Sequence, residues 1–265
     1  MCTDTPDHGF DRPCRPVTRR KLLKAATAAV GIATMAGCAD HPAATWVNPA
    51  TNPSGSPSAT TIAGGEIAKE LTHGPRDKPA VALTFHGDGD EAQVRALLDE
   101  LEQGGAKVTV LAVGRWLEAQ PAMAKRILDG GHELGNHTQN HLDIATMSPS
   151  DALAEISACA AVLQRLTGSI GKWFRPSQTR HATDMILAQA AQAGYPVCLS
   201  YDVDSLDFAD PDPSTVLRAV TDTIGNGSIV SMHFGHAATI AAMPELLNRL
   251  RDKGLRAVTM SDLVS

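Results

Sequence analysis

The chain has 265 residues, 43% of them hydrophobic and 4% aromatic, and 29 Asp and Glu against 23 Lys and Arg give a net charge of −6. That length supports one sizeable domain with its own core, and the composition excludes a disordered or fibrous chain. The acidic balance carries no basic stripe, which removes the electrostatic case for nucleic acid as a partner.

Residues 1–38 read as an export signal and not as part of the fold. Thr18-Arg19-Arg20-Lys21-Leu22-Leu23-Lys24 is a twin-arginine pattern. The apolar run from Ala25 to Gly37 that follows is too short to span a bilayer. Met35-Ala36-Gly37-Cys38 has the form of a bacterial lipobox, which makes Cys38 the expected lipid anchor to the membrane. Ordinary cleavage nearby, leaving a secreted protein, is the alternative. The expected location is therefore exported, in the cell envelope. Residues 39–75 are rich in Pro, Ser, Thr, Ala and Asn and are expected to form a flexible linker.

The domain is expected over residues 76–265. Ala80–Phe85 reads as a buried strand. Glu91–Gln103 has helical spacing at Val94, Leu97, Leu98 and Leu101, ended by Gly104-Gly105. Val108–Val113 is a second strand, and Pro121–Leu128 a short helix closed by Gly130-Gly131. Ser148-Pro149-Ser150-Asp151 combines a cap, a first-turn proline and an early acid, and opens the longest helix, which runs to about Thr167. Lys172–Arg175 is a short strand and Thr183–Ala193 a helix. Val197–Tyr201, Ile229–Met232 and Arg256–Val258 are further strands, with helices near Ser214–Ile224 and Thr239–Lys253 between them. This alternation predicts a parallel α/β sheet or barrel. Gly87-x-Gly89 lacks the third glycine of a nucleotide fingerprint. Cys159 and Cys198 sit among apolar residues and are expected to be buried free thiols, with one disulfide between them as the alternative.

In such folds functional groups collect at the C-terminal ends of strands. Five apolar segments here lead into unusual polar residues: His86-Gly87-Asp88-Gly89-Asp90, His137 to His141, Arg175-Pro176-Ser177, Asp202 to Asp207, and His233-Phe234-Gly235-His236. His137 and His141 are four residues apart, a spacing that lets two imidazoles on a helical turn meet one metal ion. Together these residues point to metal-assisted hydrolysis. His132 and His181 read as structural or exposed, Trp116 and Trp173 as core or groove wall, and Asp207, Asp210 and Asp212 as capping or solvent-facing acids. His236 is open between a role in the site and a loop hydrogen bond.

Taken in order, the segments resemble the polysaccharide deacetylase family (NodB homology domain, carbohydrate esterase family 4). Asn136-His137-Thr138-Gln139-Asn140-His141 is similar to its H-[ST]-x-x-H metal motif, Phe174-Arg175-Pro176 to its arginine motif, Asp202-Val203-Asp204-Ser205-Leu206-Asp207-Phe208 to its D-x-D-x-x-D-W segment, and Ile229-Val230-Ser231-Met232-His233 to its last strand. The first motif departs: Thr84-Phe85-His86-Gly87-Asp88-Gly89-Asp90 stands where the family has T-F-D-D-G-P, a variant of the form F-H-G-x-G-D. A second departure is Ser177-Gln178 after Pro176, where the family has a tyrosine that makes a backbone contact.

The resemblance implies an α/β, NodB-type distorted (β/α) barrel of about seven parallel strands. It implies a divalent metal, Zn²⁺ first, on His137, His141 and either Asp90 or Asp88. His86 or the uncommitted acid then serves as base, and His233 as the acid for the leaving group. Arg175 is expected to pair with an acid of the Asp202–Asp207 cluster, such as Asp204, and one of those acids to orient His233. The implied substrate is an N- or O-acetylated cell-envelope glycan. Two other readings stay open: a glycan- and metal-binding relative without turnover, and an amidohydrolase for small non-peptide C–N bonds.

Overall fold

The computed structural model describes residues 67–265. The expected signal over 1–38, with Cys38, and most of the expected linker lie outside the described residues. Strands β1 (Lys69–Leu71), β2 (Ala80–Gly87), β3 (Thr109–Ala112), β4 (Glu133–Asn136), β5 (Val197–Leu199), β6 (Val203–Asp204), β7 (Ile229–His233) and β8 (Arg256–Val258) alternate with helices. The helices are α1 (Glu91–Gln103), α2 (Gly114–Ala119), α3 (Ala122–Asp129), α4 (Pro149–Thr167), α5 (Asp184–Gln192), α6 (Pro213–Thr221), α7 (Ala237–Asp252) and α8 (Met260–Val264).

The named strands pair in parallel around β2. The order β4-β3-β2-β7-β6 forms the main sheet, and β8 pairs with the start of β2. Phe174 bridges Asn136 on β4 and Cys198 on β5. Because β5 and β6 lie on one run of chain, the ring of parallel strands closes, with breaks at Phe174 and at residues 200–202. This is the expected distorted barrel. Its strands are covered on both faces, so Ala80 to Phe85 are all buried, and near-continuous apolar runs were the readable signal.

The helices form where spacing and caps agree. In α1, Val94, Leu97, Leu98 and Leu101 are buried, the i, i+3, i+4, i+7 stripe of a core-facing helix. In α4, the Ser148 hydroxyl accepts from the Asp151 N–H, Pro149 opens the first turn, and Gly168 closes the helix in the left-handed conformation at φ +79°. Cys159 and Cys198 are buried free thiols, and burial pushes each up to about 12.

Two expectations on boundaries need correction. Residues 69–71, assigned to the linker, form β1 and pair with β5 from Lys69↔Val197 to Leu71↔Leu199, and Ala68 is buried. The domain thus begins before residue 76. The strand expected over Lys172–Arg175 reduces to the single bridge at Phe174. Pro176 follows at once and has no N–H to continue a ladder.

Candidate metal centre

β2 and β7 are in register at His86↔His233. Side chains at paired positions of adjacent parallel strands project to the same face, and the two rings lie 4.3 Å apart between centroids. The His137 N–H donates to the Ala112 carbonyl on β3 as the chain leaves β4. This brings its ring to 4.2 Å from that of His86. The His137 Nδ1 lies 2.9 Å from the Arg175 carbonyl. A carbonyl can only accept, so Nδ1 carries the proton and Nε2 keeps its lone pair.

His141 reaches the same point, but not along a helical turn as the spacing suggested. Residues 137–143 have no regular secondary structure. Thr138 at φ +68° and His141 at φ +56° fold the segment back, a left-handed backbone that costs about 1 kcal/mol or more per non-glycine residue. Hydrogen bonds hold it there. Asn136 Oδ1 accepts from the Thr138 N–H, and the Thr138 hydroxyl accepts from the His141 N–H. Gln178 Nε2 donates to the His141 carbonyl, and the Ser177 hydroxyl to that of Leu142. Ser177 and Gln178, the departure after Pro176, are thus what clasps the metal-motif loop.

Donor atoms of His86, His137 and His141 all lie within 4.8 Å of one another. The Nε2 atoms of His86 and His137 are buried with no hydrogen-bond partner, a condition that costs about 1–3 kcal/mol for each atom left so. Burial first, then the neighbouring imidazoles, hold His86 and His137 well below the ordinary histidine range, and burial also lowers His141. The rings are therefore neutral, the form a metal needs. Three convergent neutral imidazoles, two of them with an orphaned buried lone pair, fit a divalent cation that favours nitrogen, and Zn²⁺ suits them better than Mg²⁺ or Ca²⁺.

The acids expected to complete this set are used elsewhere. Asp90 caps α1, and its Oδ1 accepts from the N–H groups of Ala92 at 2.9 Å and Gln93 at 3.3 Å. Asp88 is exposed and lies 3.3 Å from Arg115 Nη2. Neither belongs to the donor cluster; the chain enters α1 directly after Gly89, and helix capping claims the nearer acid. His86, expected as the base, is the third donor.

His233 has its own partner. The Asp207 Oδ1 lies 2.7 Å from His233 Nδ1, and Oδ2 accepts from the His233 N–H at 2.9 Å and from the Thr239 hydroxyl at 2.7 Å. Burial alone would raise the Asp207 carboxyl, but the bonds from His233 and Thr239 outweigh it and hold it below its ordinary range. Of the two readings open for Asp207, capping or solvent-facing acid and partner of His233, its contacts fit the second. Asp204 does not meet His233; its Oδ1 accepts from the Leu206 N–H.

Arg175 is fully buried, and burial lowers it to about 10. Its Nε donates to the Leu199 carbonyl, and Nη2 to the Thr84 hydroxyl and the Ser200 carbonyl. The expected ion pair with an acid is not formed, and Nη1 has no partner. His236 pairs with Asp210 at 2.7 Å, outside the donor cluster. Trp116 and Trp173 are core, His132 is buried, and His181 pairs with Glu70. A cavity of about 300 Å³ opens over the centre, lined by His86, His141, Tyr201, Asp204, Phe208 and His233 among others.

The chain is similar to known proteins over most of this domain. The model of the family described as polysaccharide deacetylase matches residues 73–198, which stops short of Asp207 and His233. A peptidoglycan-N-acetylglucosamine deacetylase of Bacillus cereus is 30% identical over 200 residues, covering 72% of this chain and 90% of the relative. The solved structure of a peptidoglycan N-acetylglucosamine deacetylase bound to an N-hydroxybenzamide is 27% identical at a TM-score of 0.69, covering 75% of this chain and 93% of that one. A CE4-family pseudoenzyme of Bacillus anthracis shares the fold at a TM-score of 0.70 and 24% identity, covering 74% of this chain and 69% of that one. The barrel, the paired histidines of the 137–141 loop and these matches together place the chain in the polysaccharide deacetylase family.

Proposed function

We propose that the protein is a metal-dependent hydrolase that removes acetyl groups from an N- or O-acetylated cell-envelope polysaccharide. The observation that carries this reading is the juxtaposition of the His86–His137–His141 donor cluster with the Asp207–His233 pair under one open cavity. A divalent ion on those three imidazoles, when bound, polarises an acyl carbonyl and makes water acidic near neutral pH. His233 does the proton work. Asp207 holds the proton on Nδ1, so Nε2 is free to take one from the attacking water and then to deliver it to the leaving amine or alkoxide. The C–N or C–O bond breaks, acetate leaves, and Asp207 stays ionised throughout.

One observation favours a second reading, a relative that binds glycan and metal without turnover: among the described residues no carboxylate belongs to the donor cluster. Acetate release from a panel of acetylated glycans, with and without chelator, separates the two. Release that chelator abolishes and Zn²⁺ restores supports the hydrolase. Glycan binding with no release from any substrate supports the binding relative, and turnover of small amides alone supports the amidohydrolase. Export through the twin-arginine signal, with an anchor at Cys38, would put the domain at its substrate; replacing Arg19 and Arg20 by Lys tests this by fractionation.

A further inference from the structure

One wall of the cavity takes no part in the steps above. Tyr201 lies there, half-buried, just beyond β5. Two guanidiniums lie over its ring, Arg175 at 5.5 Å and Arg180 at 4.8 Å from the centroid. The same two side chains hold the backbone on either side. Arg175 Nη2 donates to the Ser200 carbonyl and Arg180 Nη2 to that of Tyr201, both at 3.1 Å. The Ser200 hydroxyl in turn donates to the Arg180 carbonyl. The ring is therefore fixed in place, and the face under Arg180 is closed to a sugar. The residue lines the same cavity as the histidines.

Acyl transfer needs a donor fixed where the carbonyl oxygen becomes anionic, and a pre-organised donor is worth most. The Ser177 hydroxyl cannot serve: it is buried and donates to the Leu142 carbonyl. Tyr201 shares its cavity with His86, His141 and His233, under two cations that favour negative charge nearby. Burial first, then Asp204, pushes its phenol above the ordinary range, so it remains an O–H donor near neutral pH. Asp204 sits on the same wall with Oδ1 engaged by the Leu206 N–H, and its carboxylate lies within the phenol's reach, so a bound acyl oxygen competes with it for the hydroxyl.

We propose that Tyr201 is the oxyanion donor of this site, its hydroxyl hydrogen-bonding the acyl oxygen of a bound acetyl group more strongly as that oxygen gains charge. The inference rests on the hydrolytic reading. Tyr201→Phe removes the hydroxyl and keeps the ring that the two guanidiniums contact. In the zinc-loaded full chain, kcat for acetate release is expected to fall about 100-fold, with KM changed by less than about threefold and with metal content and Tm unchanged. An unchanged kcat, or a loss carried by KM alone, overturns it. Calorimetry with an N-hydroxybenzamide adds a readout independent of turnover: the variant is expected to bind about 10-fold more weakly, the loss of one buried hydrogen bond. Equal binding, or none by either protein, overturns the assignment. Absence of acetate release by the wild type sinks the hydrolytic reading instead, and the hydroxamate comparison then still decides the donor.

Discussion

Asp207 grips His233 at two points, its Oδ1 2.7 Å from the ring Nδ1 and its Oδ2 2.9 Å from the backbone nitrogen. The double contact fixes the tautomer and the rotation of the ring together, so that Nε2 is the nitrogen left for chemistry. Asp207→Asn keeps the shape but presents an amide that no longer enforces this tautomer. The expected outcome is a loss of kcat of about 100- to 10,000-fold with metal content unchanged. Steady-state acetate release checks it; a rate within a few-fold of wild type would mean that His233 is not the proton carrier.

The donor cluster makes a prediction that separates His86 from the acids beside it. His86→Ala is expected to empty the metal site, read by elemental analysis of the purified protein. Asp90→Ala is expected to keep its metal and to lose about 1 kcal/mol of stability, the worth of a helix cap. The reverse pattern, metal lost with Asp90 and kept without His86, would return the third ligand to the acid.

The buried imidazoles also set how the metal-free domain responds to pH. His86 and His137 are held well below the ordinary histidine value in the fold, while in the unfolded chain they titrate near 6.5. Below that value the unfolded state binds protons that the folded state refuses. Stability is then fully present above pH of about 6.5 and falls as pH drops, by up to about 1.4 kcal/mol per unit for each such histidine. Chelated protein melted from pH 8 to pH 5 should show a steep decline, and His137→Gln should flatten it. A flat profile in the wild type would contradict neutral burial.

Local pattern was enough where local chemistry decides. The stripe Val94, Leu97, Leu98, Leu101 and the Ser148-Pro149 start are readable because spacing and capping act within a few residues. The pair His137 and His141 was readable as candidate donors but not in its geometry, because its convergence depends on Ser177 and Gln178, whose bonds to the loop span 35 and 37 positions of the chain. Asp207 was hidden for the same reason: only the approach of the turn at 207–209 to β7 distinguishes it from Asp204 and Asp210. The place of Asp90 was not legible because an acid before a helix serves as a cap or a ligand equally well on paper, and here it caps the α1 N-terminus.

Arg175 holds strands together more than it holds charge. Its guanidinium reaches the Leu199 and Ser200 carbonyls at the end of β5 and the Thr84 hydroxyl on β2, while its own carbonyl accepts from His137. A lysine has one nitrogen and cannot span the three acceptors, which would leave buried carbonyls unpaired. Arg175→Lys is expected to cost about 3 kcal/mol of stability, measured by denaturant unfolding. The bond to His137 runs through the main chain and survives the change. Metal affinity measured well below the unfolding midpoint should therefore stay within about threefold of wild type. A large drop in affinity with little loss of stability would reverse this assignment and make the guanidinium, not the backbone, the element that organises the donor cluster.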